Sequence, residues 1–196
     1  MPLAEWAEAT ARNLLSEPLP RRWAHSQGVA FAAEDLSTIL GDQTDLIVAA
    51  AFLHDIGYSP AIAVTGFHPL DGARHLRDAE RADDLLCRLV ANHTGAATEA
   101  AERGLAAALA REFPPPPADL GDALTYCDMT TGPDGQTMPT DERLAEILSR
   151  YEPDDPVHRA ITASSPYLTA AVARVTQRLS RRESPLGELL RSVSCG

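Results

Sequence analysis

The chain has 196 residues, 28 acidic and 17 basic side chains and a formal net charge of -11. That length suits one domain with a sizeable core and is short for two, and the acidic balance excludes a nonspecific binder of duplex nucleic acid, which must neutralise a run of phosphates. All 17 basic residues are arginine, which excludes Schiff-base lysine chemistry and the phosphate-gripping lysine of a P-loop, so any phosphate must be met by arginine or a metal ion.

The N-terminus, MPLAEWAEATARN, lacks the basic-then-apolar pattern of an export signal. The longest strongly apolar run, Leu46 to Leu53, is too short to cross a bilayer. Cys87, Cys127 and Cys195 are odd in number and far apart, which indicates neither a disulfide framework nor a cysteine zinc site. A cytoplasmic chain with no membrane partner is therefore expected.

Apolar periodicity predicts an all-α protein with helices near residues 3–16, 22–40, 45–57, 69–78, 82–93, 98–112, 118–130, 140–151 and 156–181, the last broken near Pro166. Gly41 follows the second helix, Asp45 is placed to cap the third and Gly57 to end it, and Thr140 and Arg143 follow a proline turn. The tetraproline Pro114 to Pro117 forces an extended spacer, and TTGPDGQTMPT reads as a turn-rich loop. Both read as connections within one domain spanning 1–196, with a motif-bearing core at about 21–130 and C-terminal helices 140–182 packed on it. Tyr167, Leu168, Val172, Val175 and Leu179 recur at helical spacing, suited to the core or to a homodimer face, with the core favoured.

The third helix carries the chemical signal. Leu46, Ile47, Val48, Phe52, Leu53 and three alanines leave it apolar on every side, so it should be central, yet it ends on His54 and Asp55. Burying a charged carboxylate there costs several kcal/mol in order of magnitude unless it is paired or coordinated. Other ligand-capable residues sit near apolar helical faces: His25 among Trp23, Val29 and Phe31, His68 opening HPLDGARHL, His93 ending LLCRLVANHTGA, and Asp128 in LGDALTYCDMT. Asp122 competes with Asp128, but its place near a helix start is explained by the helix dipole. Histidine and carboxylate ligands suit iron, manganese, zinc or nickel rather than calcium.

The order His25, then His54-Asp55, then Asp128, with HDIG at its centre, resembles the HD-domain superfamily of metal-dependent phosphohydrolases over about residues 21 to 130. The resemblance implies a helical bundle with a central metal site. His68 and His93 match the extra positions of the H…HD…H…H…D order, similar to HD-type diadenosine tetraphosphate hydrolases and to diiron oxygenases resembling myo-inositol oxygenase. It would give one metal His25, His54, Asp55 and Asp128, and a second His68, His93 and a bridging Asp55, with hydroxide between them. Two divalent transition ions, iron or manganese before zinc, nickel or cobalt, are thereby expected. Where diadenosine tetraphosphate hydrolases carry a lysine after the pair, this chain reads Ile56-Gly57-Tyr58-Ser59, and it lacks a GYP motif, so neither that nucleotide nor cyclic-di-GMP is assigned.

The resulting expectation is a hydrolase of a small phosphorylated molecule, a nucleotide being favoured, with His54 and Asp55 at the catalytic centre and metal-activated hydroxide attacking a phosphate ester or anhydride. Arg22, Arg74 and His75 are the candidates for phosphate contacts. Tyr58 and Asp71 stand near the site with either packing or supporting roles open to them, while Tyr126, Cys127 and His158 read as structural or exposed. The alternatives are a diiron oxygenase built on the same ligands and a non-catalytic nucleotide-binding module.

Overall fold

The computed structural model describes residues 1–183, and Cys195 lies outside them. Its regular elements are α1 (Leu3–Leu15), α2 (Pro20–Glu34), α3 (Ser37–Leu40), α4 (Thr44–Leu53), α5 (His68–Asp78), α6 (Asp84–Ala91), α7 (Ala96–Glu102), α8 (Ala106–Glu112), α9 (Ala118–Met129), α10 (Thr140–Ser149) and α11 (Pro156–Glu183). Among the described residues no strand forms, and Thr131 and Thr137 make an isolated bridge. The all-α expectation holds.

α4 is the axle. Ile47, Val48, Leu53 and the alanines at 49, 50 and 51 are all buried, and the helix packs on α1, α2, α6 and α9. The alanine run brings neighbouring backbones close, while Ile47 and Leu53 fill the gaps at about 1.5–3 kcal/mol each. Asp45 does not cap its own helix. Its carboxylate accepts hydrogen bonds from the amides of Leu3 and Ala4, each at 3.2 Å, and so caps α1 from 42 and 41 residues away. A carboxylate at those orphan amides satisfies both donors and complements the dipole.

Three predicted helices end differently. The segment 22–40 splits where the Leu36 amide bonds back to Ala33 O, a tight turn that leaves Leu36 fully buried. The segment 98–112 splits at Gly104, which has φ +70°. There Leu105 N donates to Ala100 O and Gly104 N to Ala101 O, the paired bonds of a Schellman cap. The segment 45–57 stops at Leu53 and continues as a 3-10 turn, Ile56–Tyr58.

α11, by contrast, runs straight through Pro166. Ser164 and Ser165 donate their hydroxyls to Ala160 O and Ile161 O, at 2.7 Å each, in the turn before the proline. Leu168 and Val175 are fully buried. Burying those two side chains outweighs the roughly 3 kcal/mol that an interior proline costs. Val172 and Leu179 are partly buried on the same side, whereas Tyr167 is 53% exposed. The apolar stripe thus faces α3, α7, α9 and α10. No single described helix is long and apolar enough to cross a membrane.

Candidate metal centre

The turn after α4 explains why two consecutive polar residues point inward. His54 is the last residue with helical dihedrals, and Asp55, at φ -100° and ψ 3°, leaves the helix and starts the 3-10 turn. Both are buried, at 1% and 3% exposure.

Three histidines are aimed by the main chain. His54 Nδ1 lies 2.7 Å from Ala51 O, His93 Nδ1 2.7 Å from Val90 O, and His25 Nδ1 3.0 Å from Gly132 O. A carbonyl oxygen only accepts, so each Nδ1 carries the proton and each Nε2 presents a lone pair inward. His25 Nε2 lies 3.1 Å from Asp128 Oδ1. His68, at the start of α5, brings Nε2 to 3.1 Å from His93 Nε2 and 3.3 Å from Asp55 Oδ1.

Two groups result. His25, His54 and Asp128 each offer a ligand atom within 4.8 Å of the others, and so do Asp55, His68 and His93. They meet where His54 Nε2 approaches Asp55 Oδ2 at 3.6 Å. All six candidate ligands therefore share one site, with Asp55 grouped with His68 and His93 and its second oxygen turned toward the other triad.

Electrostatics favour neutral imidazoles at His54 and His68 and ionised carboxylates at Asp55 and Asp128. Burial lowers the His54 pKa to about 4, outweighing the pull of Asp55 and Asp128. Burial also holds His68 well below the usual histidine range, against the pull of Asp55. For Asp55, burial pushes the pKa upward, but Arg22, His54 and His68 bring it well below the normal carboxylate value. Asp128 is held well below the usual carboxylate range against burial by the neighbouring His25 and His54 rings and by the Arg143 guanidinium.

These residues fit a divalent cation. His54 Nε2 is buried without a hydrogen-bond partner, an orphan that a metal ion would satisfy. The 3.1 Å between His68 Nε2 and His93 Nε2 is the spacing of two nitrogens at about 2.1 Å from one ion at right angles. Thr94 supports the set by donating its hydroxyl to Asp128 Oδ2 at 2.5 Å.

The phosphate candidates divide. Arg22 is at the site: its NH1 is 2.5 Å from Asp55 Oδ2 and its guanidinium lies 3.3 Å from the centroid of the Tyr58 ring. Tyr58 in turn stacks on His68 at 3.8 Å, so it belongs to the site wall. Arg74 and His75 do not reach the site. His75 lies seven residues, or about 10 Å, along α5 from His68 and faces Glu80 at 3.5 Å, while Arg74 turns aside to a two-pronged pair with Glu112 at 2.6 and 3.0 Å.

Asp71 accepts from the amides of Val64 and Thr65 and from the Thr65 hydroxyl, so it shapes the loop before α5 rather than orienting a ligand. Asp122 is paired with Arg174 at 2.6 and 2.7 Å. That ion pair, rather than the helix dipole, accounts for a carboxylate at its position.

Arg143 was not among the candidates. It is 6% exposed, with NH2 3.3 Å from His25 Nε2 and 3.4 Å from Asp128 Oδ1. Its signal in the sequence is an arginine one turn before Ile147 on the apolar side of a helix, in a chain where arginine is the sole strong cation.

A family model described as HD domain matches residues 22–154, more than half of the chain. No curated protein and no solved structure matches the chain.

Proposed function

The chain belongs to the HD-domain family, a superfamily of metal-dependent hydrolase type, and from that premise we propose that it hydrolyses a phosphate ester or anhydride of a small molecule, a nucleotide being the favoured class. His25, His54 and Asp128 would hold one divalent ion and Asp55, His68 and His93 the other, iron or manganese being the favoured metals. When bound, such a pair lowers the pKa of water to make a nucleophile near neutral pH and polarises phosphoryl oxygens.

The chain's own residues supply the rest. Histidine Nδ1 donation to the main chain fixes the orientation of His25, His54 and His93. Burial of His54 and Asp55 lowers the local dielectric and strengthens each charge interaction with substrate. Arg22 and Arg143 present guanidinium groups toward the centre, where an in-line displacement builds negative charge on the phosphoryl oxygens.

The observation that carries this reading is the pairing of the His/Asp triads with those two arginines, 2.5 Å from Asp55 and 3.4 Å from Asp128. Each guanidinium neutralises a carboxylate of the centre and keeps further N–H donors, and a phosphoryl group is an anion that can accept from them.

The test measures metal content by mass spectrometry on protein purified without chelator, together with phosphate release from a panel of nucleotide monoesters, diesters and anhydrides. The expected result is two iron or manganese ions per chain, about one in either His68→Ala or His54→Ala, and turnover that tracks metal content. Full metal loading with no phosphate release from any member of the panel, and a mixed-valent iron signal with oxygen uptake, would overturn it.

A further inference from the structure

A second cavity lies beside the metal centre. It measures about 310 Å³, within the size range of small-molecule sites, and it shares Arg22, His25, Arg143 and Arg150 with the smaller cavity lined by every candidate ligand except His54. Arg21 completes its cationic lining, Leu19 and Pro133 contribute apolar wall, and no carboxylate lines it. In a chain of net charge -11, four arginines line this cavity, while the carboxylates that pair with them, Asp55, Asp128, Asp134 and Glu146, stand outside its wall.

Two observations point to an anionic occupant. Arg143 Nε is buried with no hydrogen-bond partner, in a residue that lines both cavities, and an unmet buried donor costs about 1–3 kcal/mol until something accepts from it. The outer arginines are held by partners that water reaches: Arg21 by exposed Asp134, at 63% and 61% side-chain exposure, and Arg150 by half-buried Glu146, at 34% and 22%, a carboxylate it shares with Arg143. Solvated pairs of this kind are weak, so an entering anion can compete for the guanidinium groups.

We propose that this cavity binds a second anionic group of the substrate, so that the enzyme selects molecules carrying another phosphate beyond the one it cleaves. The inference rests on the phosphohydrolase reading. Arg22 and Arg143 face the scissile phosphate, Arg21 and Arg150 take the distal one, and the apolar wall covers the part of the molecule that leaves the charged path. Arg21 and Arg150 are thus specificity residues, distinct from the metal ligands.

Calorimetric titration of the metal-loaded full chain with orthophosphate and with pyrophosphate tests it. The readout is the ratio of the two affinities, because pyrophosphate also grips metal ions more firmly. The expected result is that Arg21→Gln with Arg150→Gln lowers the pyrophosphate preference at least tenfold. Arg12→Gln with Arg111→Gln, which removes equal charge from exposed positions lining neither cavity, should leave the ratio within twofold. An equal fall in both double variants, or no fall in the first, overturns the cavity assignment while orthophosphate binding still supports the hydrolase. Failure of the metal-loaded wild type to bind either anion overturns both readings.

Discussion

Replacing Gly57 by alanine tests how the metal centre is held together. A Cβ on Gly57 would stand 2.0 Å from His68 O, 2.8 Å from His68 C and 2.7 Å from Gly72 N. The first distance is about 1.5 Å inside the ~3.5 Å at which non-bonded heavy atoms rest. The obstructing atoms are backbone, so no side chain can swing away. The 3-10 turn and α5 must separate, at a cost of about 1–3 kcal/mol for overpacking, or roughly 2–12 °C in Tm for a chain of this length. Metal sites tolerate only about 0.2 Å of ligand displacement, so His68 should leave its partners Asp55 and His93 while the His25, His54 and Asp128 set persists. Circular dichroism melts of metal-free protein give the stability term, and mass spectrometry of the purified protein should show a loss of about one ion per chain. Gly72→Ala, whose Cβ meets nothing closer than 3.2 Å, should lie between the wild type and Gly57→Ala. If Gly57→Ala melted like the wild type and kept its full metal content, the glycine contact would not be what positions α5.

Further outcomes follow from single contacts. Thr94→Val removes the donor to Asp128 Oδ2 and should weaken metal affinity about 10–100-fold without changing the fold, as read by competition with a chelating dye. Asp128→Asn should abolish the first metal, whereas Asp122→Asn should keep it and only loosen α11 by breaking the Arg174 pair. Equal metal loss in the two would reverse that assignment. Glu112, held by Arg74 and Arg77, has its pKa lowered from 4.5 to about 2. Its depressed folded-state value stabilises the protein above pH 4.5, and the benefit is lost as pH falls from about 4.5 toward 2. The full shift is equivalent to about 3 kcal/mol, reduced to about 1 kcal/mol because its partner arginines are 32% and 41% exposed. Urea midpoints against pH should therefore fall less steeply on the acid side in Glu112→Gln.

The ligand residues were legible in the sequence because each is an expensive polar group in an apolar setting. His54 and Asp55 end a helix buried all round, and His25, His93 and Asp128 interrupt apolar faces. Asp55 was expected beside His68 and His93 as well as beside the first set, and it stands between them; the 3-10 turn that puts it there is something no periodicity reports. Arg74 and His75 looked available because helical spacing ignores partners, and Glu112 and Glu80 lie on other segments. Arg143 reaches the centre only because α10 packs on α9 and α11, a tertiary event. The continuity of α11 through Pro166 has the same origin, since Leu168 and Val175 find a core that local propensity cannot foresee.

The three histidines that donate Nδ1–H to carbonyl oxygens have an evolutionary consequence. Many ligand histidines are steered by a neighbouring carboxylate, which one codon change can delete. Here the acceptors at Ala51, Val90 and Gly132 are main-chain atoms, and no point substitution removes a carbonyl. For His54 and His93 the acceptor is three residues earlier, so the helical turn that carries the ligand also aims it. The surrounding sequence can drift as long as that turn survives, and a lineage can remodel the arginine-lined cavity for a new substrate without re-aiming these three imidazoles.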